Sequence, residues 1–113
     1  MKPSIEFIHG IKEKILPIVK LTKSKNGSTG TATFIFVNPD IFTQLAYSSI
    51  NVITLIWENN IIFTNDLEIL FKNGKPFLLK AIFIFKTSQE LFHFLHFMRI
   101  YSKETGLFFS EEN

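Results

Sequence analysis

His9, His93 and His96 are the residues of this 113-residue chain best suited to metal or proton chemistry. His93 and His96 stand three apart, a spacing that puts two rings on one face of a helix. A metal site needs more ligands than that, and the chain has no cysteine and no acid pair beside these positions. Packing is the simpler reading, and no metal is expected. Ser, His and Asp are all present for a hydrolytic triad, but no Gly-x-Ser-x-Gly elbow presents a nucleophile. Asn73-Gly74-Lys75-Pro76 has the Gly-Lys of a phosphate loop. It lacks the earlier glycine, has proline where Ser or Thr should follow, and precedes no helix, so it reads as a turn. No catalytic residue, and hence no enzyme, is expected.

Charge offers a binding surface in place of a reaction. Up to Gly30 six lysines face two glutamates, a net +4, while the remainder has five lysines and one arginine against eight acids, a net −2. Lys20, Lys23 and Lys25 crowd one segment and could meet an acidic partner or an anionic membrane surface. A solvated row of charges is the plainer alternative. The same lysines, with 14 phenylalanines in the chain, leave a second function class open: a small nucleic-acid-binding module. The phenylalanines, however, recur at the alternating and i, i+3/i+4 spacings of core residues.

The elements that must position these residues follow from pattern and turn chemistry. At 46% hydrophobic the chain can form one domain with a real core, and disorder is excluded as its default state. Strands are predicted over 4–9, 18–25 and 31–37, the last two joined through a turn at Asn26-Gly27-Ser28-Thr29-Gly30. Pro17 suits a strand start. Asn38-Pro39-Asp40 reads as a helix start, with Asn38 as cap and a short helix over 39–47. Further strands are predicted over 50–57, 61–64, 67–71 and 76–86, with turns at 58–60 and at Asn73-Gly74.

The last helix has the clearest signals. Thr87 with Glu90 three residues on makes a capping box, and Gly106 supplies the terminating residue. Leu91, Phe94, Leu95, Met98 and Tyr101 form its apolar stripe. Residues 107–110 read as a closing strand and 111–113 as frayed. The expected fold class is α+β: an antiparallel sheet built of hairpins, a C-terminal helix packed on it and one short helix, all in one domain spanning 1–113. No stretch reaches the ~18 apolar residues of a spanning helix. The N-terminus has neither a signal-peptide core nor the Arg- and Ser-rich character of a transit peptide, so the chain is expected either to work where it is made or to follow a transit peptide outside these residues.

As text, Ile5-Glu6-Phe7-Ile8-His9-Gly10 and the run Pro17-Ile18-Val19-Lys20-Leu21-Thr22-Lys23-Ser24-Lys25-Asn26-Gly27 on to Ala32-Thr33-Phe34 resemble the opening of the Psb28 family of photosystem II assembly proteins. Phe71-Lys72-Asn73-Gly74-Lys75-Pro76, Ser88-Gln89-Glu90 and Gly106-Leu107-x-Phe109 are similar to later family motifs, in the same order. Lysine stands where the family has arginine at 20, 23 and 25, which keeps the charge without the bidentate fork.

The resemblance implies a non-catalytic accessory factor without a cofactor. Such a factor associates transiently with assembly or repair intermediates of photosystem II. Its implied partners are the reaction-centre core proteins, the larger inner-antenna chlorophyll protein and cytochrome b559. Its implied place is the thylakoid membrane, held peripherally at the stromal side in a plastid or the cytoplasmic side in a cyanobacterium. An AT-biased composition leans toward a plastid-encoded copy. The partner-binding residues expected on this reading are Lys20, Thr22, Lys23 and Lys25 on the hairpin, and Asn73, Gly74, Lys75 and Pro76 at the later turn.

Overall fold

Alternation of apolar and polar residues over Ile18–Lys23 buries Val19 and Leu21 and leaves Ile18, Lys20 and Thr22 exposed. In the computed structural model, which describes residues 2–112, this strand is the third of nine. The strands are β1 (Ser4–Ile8), β2 (Ile11–Lys12), β3 (Ile18–Lys23), β4 (Gly30–Val37), β5 (Ile53–Trp57), β6 (Asn60–Thr64), β7 (Leu67–Lys72), β8 (Lys75–Phe85) and β9 (Ser110–Glu112). The helices are α1 (Ile41–Gln44) and α2 (Ser88–Thr105), with a single 3-10 turn at Tyr47–Ser49.

The fold is α+β, as expected, but its hairpins belong to two sheets. One has the order β2-β1-β5-β6 and the other β7-β8-β4-β3-β9. Local turns set the hairpins. Asn26 Oδ1 accepts from the Ser28 N–H at 3.1 Å and Gly27 takes φ +73°, closing β3 onto β4. Gly30, which opens β4, is needed for space: a Cβ there would stand 3.1 Å from the Thr22 carbonyl oxygen. Asn73 (φ +53°) and Gly74 (φ +78°) have the two positive values of a type I′ turn and join β7 to β8.

The core lies between the two sheets and α2. Val19, Leu21, Phe34, Phe36, Leu79, Phe83 and Phe85 point inward from the five-stranded sheet, and Ile5, Phe7, Ile53, Leu55 and Trp57 from the other. Phe7 meets Phe36 edge-on at 5.3 Å between centroids, and Phe94 of α2 stacks on Phe85 at 4.6 Å. Helix α2 starts and stops where its caps predict. Thr87 Oγ1 accepts from Glu90 N–H at 3.1 Å, Glu90 Oε1 accepts from Lys86 N–H at 2.7 Å, and Gly106 is left-handed at φ +80°. Its buried residues are Leu91, Phe94, Phe97, Met98 and Tyr101. Phe97 joins the expected stripe, and Leu95, half-buried, packs against the core at its margin.

Three expectations around the first helix are corrected. The helix predicted over 39–47 is one turn, Ile41–Gln44, because Leu45 turns extended (φ −147°) to lay its side chain against the core. Asn38 does not cap it; Asn38 is left-handed at φ +48°. The cap is the buried carboxylate of Glu13, whose Oε2 accepts from Asp40 N–H at 2.8 Å and Oε1 from Ile41 N–H at 3.0 Å. Strand β5 starts at Ile53 instead of 50, since Ile50 closes the 3-10 turn through its N–H to the Tyr47 carbonyl.

The closing strand is Ser110–Glu112, not 107–110, and it runs parallel to β3 with Leu21 opposite Glu111. Leu107 and Phe109 pack on the core and thereby carry the following residues along the β3 edge. Residues 111 and 112, expected to fray, are thus paired; Asn113 lies outside the described residues.

Candidate partner-docking surface

Register places every second residue of the five-stranded sheet on the face turned away from the core. Four cross-strand rows result: Ile18–Ile35–Lys80–Glu68, Lys20–Thr33–Ile82, Thr22–Thr31–Ile84 and Val37–Leu78–Leu70. Ile84 is 60% exposed, Ile18 54% and Val37 49%, so the face is open and largely β-branched. Exposed apolar residues scattered singly need no explanation, whereas a cluster of them on one sheet face makes it a candidate contact surface.

A cleft of about 480 Å³ adjoins this face. Strand β6 is the edge of its sheet, and β7 stops with Leu67 opposite Ala81, so β8 has no strand partner on that side beyond Ile82. The two strands flank the cleft without pairing. Thr64 Oγ1 donates to the Ile82 carbonyl at 2.8 Å and Ile82 N–H donates to the Asp66 carbonyl at 3.1 Å, closing one end. Ile61 and Phe63 of β6, 63% and 65% exposed, join Ile84, Lys86, Glu90 and His93 in its lining.

The residues expected to bind a partner fall into two groups that the structure keeps apart. Lys20 and Thr22 stand on the open face, Lys23 is half-buried at the strand end, and Lys25 is exposed in the turn. Asn73, Gly74, Lys75 and Pro76 form the turn at the far end of β8. Strand β8, eleven residues from Lys75 to Phe85, runs from one turn to the other, about 35 Å at strand rise. The open face lies between them and carries Lys20 and Thr22, whereas Lys23 has the strand parity of the core-facing Val19 and Leu21. The β3 edge itself is covered by β9, so strand addition there meets a segment of the chain already in place.

Ile61, Phe63, Ile82 and Ile84 were not among the expected binding residues. The apolar run 81–85 has the signature of a strand buried on both faces. Only the packing of α2 on one face shows that Ile82 and Ile84 remain outside.

The histidines of α2 engage neighbours. His93 Nε2 lies 3.2 Å from Asn60 Oδ1, and Trp57 Nε1–H donates to His96 Nδ1 at 3.4 Å. Both rings pack on Trp57, with centroids at 4.7 and 6.2 Å. Among the described residues no three His, Asp or Glu side chains come together as a metal cage.

With the geometry in place, comparison with known proteins identifies the family. The family described as "Psb28 protein" matches residues 5–109. The chain belongs to the Psb28 family. A relative from Phaeodactylum tricornutum is 44% identical over 98% of both chains. One from Nostoc sp. is 42% identical over 95% of this chain and 96% of its own, and one from Guillardia theta 39% over 96% of each. All three carry the name "Photosystem II reaction center Psb28 protein". These Psb28 relatives come from both algae and cyanobacteria, and the match takes in β1 through α2, the elements that build the open face and the cleft.

Proposed function

We propose that this chain is a non-catalytic accessory factor of photosystem II. It binds transiently to assembly or repair intermediates at the stromal face of the thylakoid, or the cytoplasmic face in a cyanobacterium. The names of its Psb28 relatives support the photosystem II association. No helix of the described residues is long and apolar enough to cross a membrane, which fits peripheral attachment. The partners on this reading are loops and tails of the reaction-centre core proteins, the inner-antenna chlorophyll protein and cytochrome b559.

The observation that carries the docking mode is the cleft between β6 and the end of β8. An extended partner segment laid there would pair with unpartnered strand edges, while Ile61, Phe63 and Ile84 fill alternate side-chain positions. Main-chain bonds supply affinity in such strand addition and the flanking pockets supply selectivity. Lys20 and Thr22 at one end, and Asn73 to Pro76 at the other, extend the contact across the sheet face.

The test is a native-gel separation of solubilised thylakoid membranes, comparing the unaltered chain with Phe63→Asp plus Ile84→Asp. Both side chains are exposed, so the fold is retained. The unaltered chain should comigrate with a complex smaller than mature photosystem II, and the double variant should run with the free soluble proteins. Signal for the unaltered chain only among free proteins while assembly is active would remove the function. Undiminished comigration of the double variant would remove the cleft from it.

A further inference from the structure

The outward side of α2 combines cations and aromatic rings in one stripe. At 100° per residue, Phe92, His96, Arg99 and Lys103 fall within an arc of about 60°, opposite the buried Leu91, Phe94, Met98 and Tyr101. Phe92 is 73% exposed, and Phe108, on the segment after the helix, is 84% exposed. Arg99 lies between them. It lines a groove with Phe92 and His96 on one side and a depression with Phe108 and Ser102 on the other.

Core packing accounts for neither ring. The acids of α2 are engaged elsewhere: Glu90 accepts from the Lys86 N–H, and Glu104 pairs with Lys2 at 3.3 Å. Among the described residues no carboxylate falls within the arc of the stripe itself, although Glu90 lines the groove that Phe92 and Arg99 share.

We propose that this face of α2 is a contact for an anionic lipid surface. Phe92 and Phe108 enter the headgroup boundary, while Arg99 and Lys103 meet lipid phosphates or sulfonates. Interfacial attachment draws on inserted apolar area and on attraction between Lys or Arg and anionic headgroups, and this face offers both. Because α2 packs against the inner face of the five-stranded sheet, its outward side points away from the open sheet face. The stripe meets the docking cleft only at the start of α2, where Glu90 and His93 line both grooves. The inference deepens the peripheral attachment proposed above and rests on that reading, but its test does not use photosystem II.

The full chain is floated with vesicles of phosphatidylcholine alone or with about 40 mol% phosphatidylglycerol, at low salt where surface charge is least screened. It should float with the anionic vesicles and not with the neutral ones. Arg99→Glu plus Lys103→Glu should lower the partition by at least about 30-fold, and added salt should weaken binding of the unaltered chain. Phe92→Ser plus Phe108→Ser, at exposed positions, should release it as well. Failure of the unaltered chain to float with anionic vesicles, or undiminished flotation of the charge-reversed variant, overturns the proposal. If the aromatic variant loses comigration with photosystem II while the unaltered chain ignores vesicles, a protein partner covers this face and the lipid reading is wrong. Failed flotation with native comigration intact leaves the photosystem II docking standing.

Discussion

Replacing Glu13 by alanine should destabilise the fold far more than a single glutamate at the end of a two-residue strand would imply. Its side chain is 7% exposed and its two oxygens serve three backbone donors: Asp40 and Ile41 at 2.8 and 3.0 Å, and Ile15 at 3.1 Å. A hydrogen bond to a charged group contributes about 1.5 to 3 kcal/mol, and loss of a helix cap costs about 0.5 to 2 kcal/mol. Water entering the vacated site satisfies part of the loss, so about 3 kcal/mol is expected for Glu13→Ala. At this chain length that corresponds to a fall of about 12 °C in Tm. Glu13→Gln keeps the volume but turns an amide N–H₂ toward N–H donors, and should cost about 1 to 2 kcal/mol.

Trp57 is the one tryptophan of the chain and is fully buried, so its fluorescence reports unfolding by heat or urea directly. A shift of less than about 2 °C for Glu13→Ala would refute the cap, because the stranded N–H groups would then have found equivalent partners.

Two further outcomes follow from named groups. Burial, and secondarily the Glu13 carboxylate, push the Tyr101 phenol from 10.0 up to about 12. Its neutral form is favoured in the folded state, so its contribution to stability is complete below about pH 10 and is lost as pH rises toward 12, by about 2 kcal/mol. Urea midpoints measured across that window should fall for the unaltered chain and much less for Tyr101→Phe; parallel curves would refute the assignment. Lys20→Glu combined with Lys23→Glu should weaken comigration with photosystem II, most at low salt. Undiminished association with the fold intact, checked by urea midpoint because Lys23 is half-buried, would take the basic hairpin out of the docking surface.

Where partners lie within a few residues, the sequence was a sufficient guide. The Thr87–Glu90 box, the left-handed Gly106 and the Asn73-Gly74 turn each form by contacts over one to four residues, and each stands where pattern reading puts it. The hairpin β3–β4 and its buried Val19 and Leu21 follow from alternation alone. The α1 start departs from pattern for the same reason: neighbouring residues offer Asn38 as a cap, whereas the carboxylate that caps the turn arrives from 27 residues upstream.

The docking surface divides along this line. Lys20, Thr22 and the Asn73–Pro76 turn were marked by motif, but their separation along β8 and the open face between them depend on sheet register.

The sequence by itself therefore determined the hairpins, the long helix, the α+β class and the family, because turn chemistry, capping and periodicity act within a few residues. Only the tertiary structure decided that β1 joins β5, that β9 lies along β3, and that β6 and the end of β8 stand beside an open cleft. Those arrangements follow from which apolar faces can be buried together, and α2 covers one face of the five-stranded sheet while the other stays exposed. Alternation along a strand says that two faces differ; it takes the packed neighbours to say which face is left for a partner.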